Sequence, residues 1–231
     1  MFLNKLEGEE RANEDPEKGR SENEIRQLFQ IKSLRVSLLV VPFIWFTVSF
    51  ISYGVFFALG SLVGSIYTNG YLSGGVSLVS YVISGPMANL LGRKKTLIIC
   101  FLVAGVSCLL YNPLKPFGLA FSYTSLGLFC FGSSCVFNIV FLVTTEAFPT
   151  VYRGTVLGFG NLGARVGGIL APLVAGVAKD SFMYIFGGFG VVSGFVSFLL
   201  KETKGEVMGD TIGEETKKND GEAENQANHE S

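Results

Sequence analysis

The chain has two textures. Residues 36–200 carry long, almost unbroken apolar runs, while residues 1–35 and 201–231 are polar throughout. Within the middle stretch six apolar segments recur, at 36–58, 70–91, 96–111, 119–141, 155–178 and 182–200. A helix needs about 20 predominantly apolar residues to cross the hydrocarbon of a bilayer. The third segment is short by that measure and needs Asn112 or a snorkelling Lys95 to complete it. The fifth holds Arg165 and is expected to be the least apolar. Barrel strands would alternate apolar and polar over about ten residues, which these continuous runs do not. Backbone in lipid must satisfy its own hydrogen bonds, and that leaves helices. The pattern predicts an all-α membrane protein with six transmembrane helices in residues 36–200.

The flanks read differently. Residues 1–35 hold eight acidic and seven basic residues and open acidic, unlike a signal peptide. They are expected to be a cytoplasmic segment with a short amphipathic helix near 25–34. There Ile25, Leu28, Phe29 and Ile31 would lie on the membrane and Arg26, Lys32 and Arg35 would face head groups, unless the segment is a plain tether. Residues 201–231, with nine acidic and four basic residues, are expected to be a disordered acidic cytoplasmic tail.

Charge sharpens the picture. Of 231 residues, 16% are charged, yet residues 36–200 hold only nine: Arg93, Lys94, Lys95, Lys115, Glu146, Arg153, Arg165, Lys179 and Asp180. A soluble domain carries about a quarter charged residues, so a soluble globular enzyme is excluded. Nucleic acid is not an expected partner, because Arg93-Lys94-Lys95 is the sole basic cluster there. Short loops on one side collect Lys32, Arg35, Arg93, Lys94, Lys95, Arg153, Lys201 and Lys204, against Lys115 and Lys179 on the other. The positive side faces the cytoplasm, so both termini are expected there, with the plasma membrane as the expected location.

Glycine is about twice as frequent as usual, with 23 of 29 glycines in residues 36–200. Gly60/Gly64, Gly163/Gly167 and Gly190/Gly194 have the spacing of close helix contacts. Such faces serve for packing or for sliding, and Pro42, Pro86 and Pro172 inside spans serve as kinks or hinges. Cys100, Cys108, Cys130 and Cys135 sit in apolar runs without metal-ligand spacing, and the single histidine, His229, lies in the tail. No cofactor, metal or catalytic residue is expected.

Arg165 is the sharpest chemical feature. It sits near the middle of its segment, where a cation must face protein or water. It reads either as a structural arginine bonded to carbonyls or Glu146, or as an anion-attracting group in a central cavity. Glu146 and Arg153 flank Phe148-Pro149 at a spacing that suits an ion pair or helix cap. Trp45, Phe46, Tyr53, Tyr81 and Phe137 are aromatic candidates for a cavity wall, although most of the 21 phenylalanines must face lipid or other helices.

Four stretches occur in order: Asn89-Leu90-Leu91-Gly92-Arg93-Lys94-Lys95; Thr145-Glu146-Ala147-Phe148-Pro149-Thr150-Val151-Tyr152-Arg153; Ala164-Arg165-Val166-Gly167-Gly168-Ile169-Leu170-Ala171-Pro172; and Lys201-Glu202-Thr203-Lys204-Gly205. Together they resemble the C-terminal half of a major facilitator superfamily transporter, and more closely the organic cation/anion/carnitine transporter family, over about residues 24–205. The resemblance implies one half of a twelve-helix fold in which two six-helix halves rock around a central site. It implies substrate contacts at Arg165, Trp45, Tyr53 and Phe137, and Tyr81 joins them as a candidate from the aromatic residues alone. It implies gating or structural roles for Asn89, Gly92, Arg93, Lys94, Glu146, Pro149, Arg153, Gly167, Gly168 and Pro172. Arginine at 165 fits the anion- and carnitine-handling members, whereas cation-handling members carry aspartate. Tyr81 stands where anion-handling members often have lysine, and Asn89-Leu90 replaces the frequent aspartate-arginine. Lys201 replaces a proline.

The expected function is secondary transport of organic ions, anionic or zwitterionic, by alternating access. Expected partners are the bilayer, a small organic ion, and either the missing N-terminal half or a second copy. Two other readings stay open: a sugar-porter-like half, and a non-transporting membrane partner subunit.

Overall fold

The computed structural model describes residues 32–146, 148, 150–178 and 181–200. The described residues form six long helices: α1 (Lys32–Phe57), α2 (Ile66–Leu91), α3 (Arg93–Leu114), α4 (Leu119–Glu146), α5 (Thr150–Val177) and α6 (Phe182–Val196). Short 3-10 turns follow α1, α3 and α6. All six are long and apolar enough to cross a membrane. The amphipathic segment predicted at 25–34 lies largely outside the described residues, and its last part, from Lys32, is already continuous with α1. The predicted tail at 201–231 lies outside them altogether.

Two expectations from the pattern need correction. The third span is not short, because α3 starts at Arg93 and runs through Asn112 to Leu114. The charges at its start lie where a helix end meets head groups, so an apolar count missed a full turn. The least apolar span is α2, not the arginine-bearing α5. Ser73, Ser77, Ser80, Ser84 and Asn69 dilute α2 more than one arginine dilutes α5.

The connections are built from particular residues. Between α2 and α3 the chain turns on one residue, Gly92, at φ 95° and ψ 151°. Only glycine adopts that conformation without strain. Thr96 then ties the turn, its hydroxyl donating to the carbonyls of Gly92 at 2.7 Å and Met87 at 3.2 Å. At the opposite end, Ser65 caps α2 by accepting from the Tyr67 N–H, and the Tyr111 hydroxyl of α3 accepts from the Val63 N–H at 2.9 Å. The Asn69 amide donates to the Leu59 carbonyl at 3.1 Å. Gly60 and Gly64 belong to this α1–α2 connection, so the helix-contact role expected of that pair is wrong.

Lipid offers no hydrophobic drive between helices, so close backbone approach and hydrogen bonds must hold the bundle. α1 and α5 pair through glycine. A Cβ on Gly163 would stand 2.6 Å from the Pro42 carbonyl oxygen, and one on Gly160 would stand 2.9 Å from the Trp45 ring. α3 sits between α4 and α6 in the same way. A Cβ on Gly132 would lie 2.7 Å from the Cys100 oxygen, and one on Gly190 would lie 2.9 Å from Cα of Gly105. Gly194 packs on Leu102, so the pairs Gly163/Gly167 and Gly190/Gly194 make the contacts their spacing predicts. α1 crosses to α6 through Phe50, whose ring meets Phe186 at 4.9 Å and Phe189 at 5.1 Å, and through Ser193 donating to Thr47 at 2.8 Å.

α2 is attached by a different chemistry. Ser73, Ser77, Ser80 and Ser84 recur every three or four residues, which puts them on one helix face. That face meets α4. Cys130 donates to Ser73, Ser134 donates to Ser77 at 2.8 Å, Cys135 donates to the Ser80 carbonyl, and the Asn138 amide donates to Ser84 at 2.5 Å. α2 and α5 are the least buried of the six helices.

Candidate functional site

A cavity of about 320 Å³ opens between α1, α2 and α4. It is lined by the aromatic residues Tyr53, Phe56, Phe129, Phe137 and Tyr81 and by Ser52, Ser73, Ser77, Ser133 and Ser134, each helix contributing both kinds. Cys130 adds a thiol. None of the lining residues is charged. The size and the mixture of aromatic surface with a few polar groups are those of a small-molecule pocket.

Three of the five predicted substrate contacts, Tyr53, Tyr81 and Phe137, meet in this cavity. Trp45 does not line it. Its side chain is 1% exposed, its indole N–H donates to Thr144 at 3.0 Å, and its ring packs edge-on against Phe141 at 4.3 Å and Phe137 at 6.5 Å. In this conformation Trp45 backs the Phe137 wall.

Arg165 lies elsewhere, on α5, and is exposed. Among the described residues it makes no hydrogen bond or ion pair, and Glu146 is held by Arg93. The α1-facing glycines Gly163 and Gly167 flank it two residues away on either side. At about 100° per residue, Arg165 points roughly 160° away from that contact. Gly154, Gly158, Asn161 and Gly168 share its side of the helix, and the bulky arc of Leu162, Val166, Ile169 and Leu173 begins at its other flank, with Ile169 about 40° away. α5 therefore has three faces: one of small residues against α1, one apolar and suited to lipid, and one polar and small, with Arg165 where the last two meet. Tyr53 joins the third face to the cavity, since a Cβ on Gly168 would touch the Tyr53 ring at 3.4 Å.

The predicted gating residues gather where α2 meets α3 and α4 ends. Arg93, the first residue of α3, grips Glu146, the last of α4, with a two-pronged fork: Nε to Oε2 at 2.8 Å and Nη2 to Oε1 at 3.0 Å. Gly92 is the turn just before the fork, Asn89 is exposed on the last turn of α2, and Lys94 is half-buried beside Arg93. Phe148 is buried between α4 and α5, Arg153 is half-buried on the first turn of α5, and Pro149 lies outside the described residues. Gly167 meets the backbone of Phe46 and Phe50, and Pro172 sits in α5 without ending it. The Arg93–Glu146 fork was not foreseen, because 53 residues separate the partners. The serine wall was also missed, although the spacing of Ser73, Ser77, Ser80 and Ser84 is legible as a helix face.

A bundle of six helices of membrane-spanning length, with an uncharged cavity of small-molecule size, defines a polytopic membrane protein. Residues 60–222 match the model of the Major Facilitator Superfamily. The chain belongs to that superfamily, a family of transporters and not of enzymes. It is 35% identical over 192 residues to solute carrier family 22 member 6 of Rattus norvegicus, covering 80% of this chain and 34% of the relative. The Bos taurus protein of the same name is 34% identical over 200 residues, covering 84% and 36%. Solute carrier family 22 member 15 of Xenopus tropicalis is 32% identical over 190 residues, covering 78% and 36%. The chain thus spans about a third of the length of the curated relatives it matches.

Proposed function

We propose that this chain forms the C-terminal half of an organic-ion transporter that favours anionic or zwitterionic solutes and works by alternating access. The observation that carries this reading is the placement of Arg165. A cation at mid-span, exposed beside glycine and asparagine and without a partner among the described residues, does not belong against lipid. Water or a second protein half must cover it. A carboxylate or sulfate arriving there gains a charge-assisted pairing that the uncharged cavity cannot offer. Tyr53, Tyr81 and Phe137 supply the adjoining aromatic surface, and Trp45 holds Phe137 in place from behind. The excess of Lys and Arg on one side of the bundle supports cytoplasmic termini.

Binding to the whole chain in lipid nanodiscs tests the charge assignment. A labelled aryl carboxylate should bind at least tenfold more weakly to Arg165→Asp, and an organic cation should bind no more weakly. Unchanged carboxylate binding would remove Arg165 from the site. Uptake into vesicles holding the chain alone separates a self-sufficient unit from one that needs a second half. The least buried helices, α2 and α5, favour the second case, because their glycine-bearing faces suit another helical surface. A partner subunit that binds but does not transport would show binding with no uptake.

A further inference from the structure

We propose that the serine wall of the α1–α2–α4 cavity is a subsite for a neutral, hydroxyl-bearing ring on the transported ion. This rests on the transport reading above and names the part of the substrate that lies away from its charge.

The cavity rejects the charged part of a solute. Its lining has no cation, and a carboxylate entering it would lose water without gaining a partner. A purely apolar ring is also a poor match, because it would strand hydroxyls that water otherwise satisfies. The proton count points the same way. The Ser134–Ser77 contact consumes one O–H proton and leaves the other hydroxyl with a donor to spare. Cys130 donates its thiol proton to Ser73, so the Ser73 O–H is also spare. Ser52 faces these from α1 across the cavity. Two or three spare donors set among aromatic rings describe a slot for a flat ring that carries hydroxyls at its edge.

The same slot can hold a ring whose charge is met by Arg165. Tyr53 lines the cavity and touches α5 at Gly168. Arg165 precedes Gly168 by three residues, a rise of about 4.5 Å along the helix. A substrate with its anion on the Arg165 face and its ring past Tyr53 spans both.

Cinnamate and 3,4-dihydroxycinnamate differ only in two ring hydroxyls and so isolate the subsite. Their affinities are measured by titration calorimetry on the full chain in nanodiscs. The dihydroxy acid should bind about tenfold more tightly to the wild type. The double variant Ser77→Ala/Ser134→Ala should more than halve that difference and leave cinnamate unchanged. Ser52→Ala, which breaks no helix-to-helix hydrogen bond among the described residues, should reduce the difference without loss of folding. Arg165→Gln should weaken both acids alike. Equal wild-type affinities, or a preference that stays undiminished in both serine variants, would overturn the proposal. So would a parallel fall of both acids in the serine variants, since that marks a structural wall, or no binding of either acid by the folded chain. If the serine variants behave as expected and Arg165→Gln changes neither affinity, the subsite stands and the anion assignment of Arg165 fails.

Discussion

Breaking the Arg93–Glu146 fork should loosen the end of the bundle where α2 turns into α3. The two side chains are 17% and 23% exposed, so the pair is neither a solvated surface contact nor a fully buried one. Exposed pairs contribute about 0.2–1 kcal/mol, and hydrogen bonds to charged groups contribute about 1.5–3 kcal/mol. Two well-aligned bonds at 2.8 and 3.0 Å with partial solvent screening place the coupling near 1.5 kcal/mol, roughly tenfold in an equilibrium constant. A double-mutant cycle with Arg93→Gln and Glu146→Gln, read by reversible unfolding of the full chain in mixed micelles, isolates that term. Arg93→Lys should keep less than half of it, because an ammonium cannot reproduce the planar fork. Added salt should lower the coupling only in part. A measured coupling below about 0.5 kcal/mol, the range of independent sites, would show that the fork does not join α3 to α4 energetically.

Three further outcomes follow from the packing. Gly132→Ala should cost about 1–3 kcal/mol, because its Cβ would press on the backbone of Cys100 and Ala104, whereas Gly127→Ala on the same helix, with nothing within 4 Å, should be near neutral; paired unfolding curves check this. Gly92→Ala should destabilise by about 1–3 kcal/mol in the same measurement, since its φ of 95° and ψ of 151° suit glycine alone. A small methanethiosulfonate reagent should modify Cys130 before Cys100, Cys108 or Cys135, because Cys130 alone of the four lines the cavity; peptide mass spectrometry after timed labelling reads the order.

The helix count was legible in the apolar runs because a span must be continuous to satisfy lipid. The ends were less legible. α3 begins on Arg93, α1 begins by Lys32, and α4 runs on to Glu146, since charged residues at a helix end sit comfortably among head groups. Tyr53 and Phe137 came from a family resemblance and Tyr81 from the aromatic residues of the spans, and the bundle brings those three together. Trp45 carried the same resemblance, but no linear pattern says that its indole turns to Thr144, 99 residues away. The Arg93–Glu146 fork was hidden for the same reason. The serine face of α2 was visible as a spacing, yet its partners Cys130, Ser134 and Asn138 lie on a helix whose own sequence reads as mostly apolar.

The two kinds of helix contact divide the bundle mechanically. α1–α5, α3–α4 and α3–α6 meet backbone to backbone at glycine, where a shift of an ångström would collide with a carbonyl or open a gap. α2 meets α4 through hydroxyl, thiol and amide pairs, which tolerate rotation because a serine hydroxyl released from its partner can turn to a carbonyl of its own helix. Interhelical bonds of this type contribute only about 0.6 kcal/mol each in a bilayer. The cavity lies along this softer seam, with Ser73, Ser77 and Tyr81 contributed by α2. A ring seated between Tyr81 and the α4 wall would therefore bear on the one helix of the six that is least tied to the rest. On the transport reading proposed above, that coupling of pocket to seam would pass the load of a bound ring to α2 first.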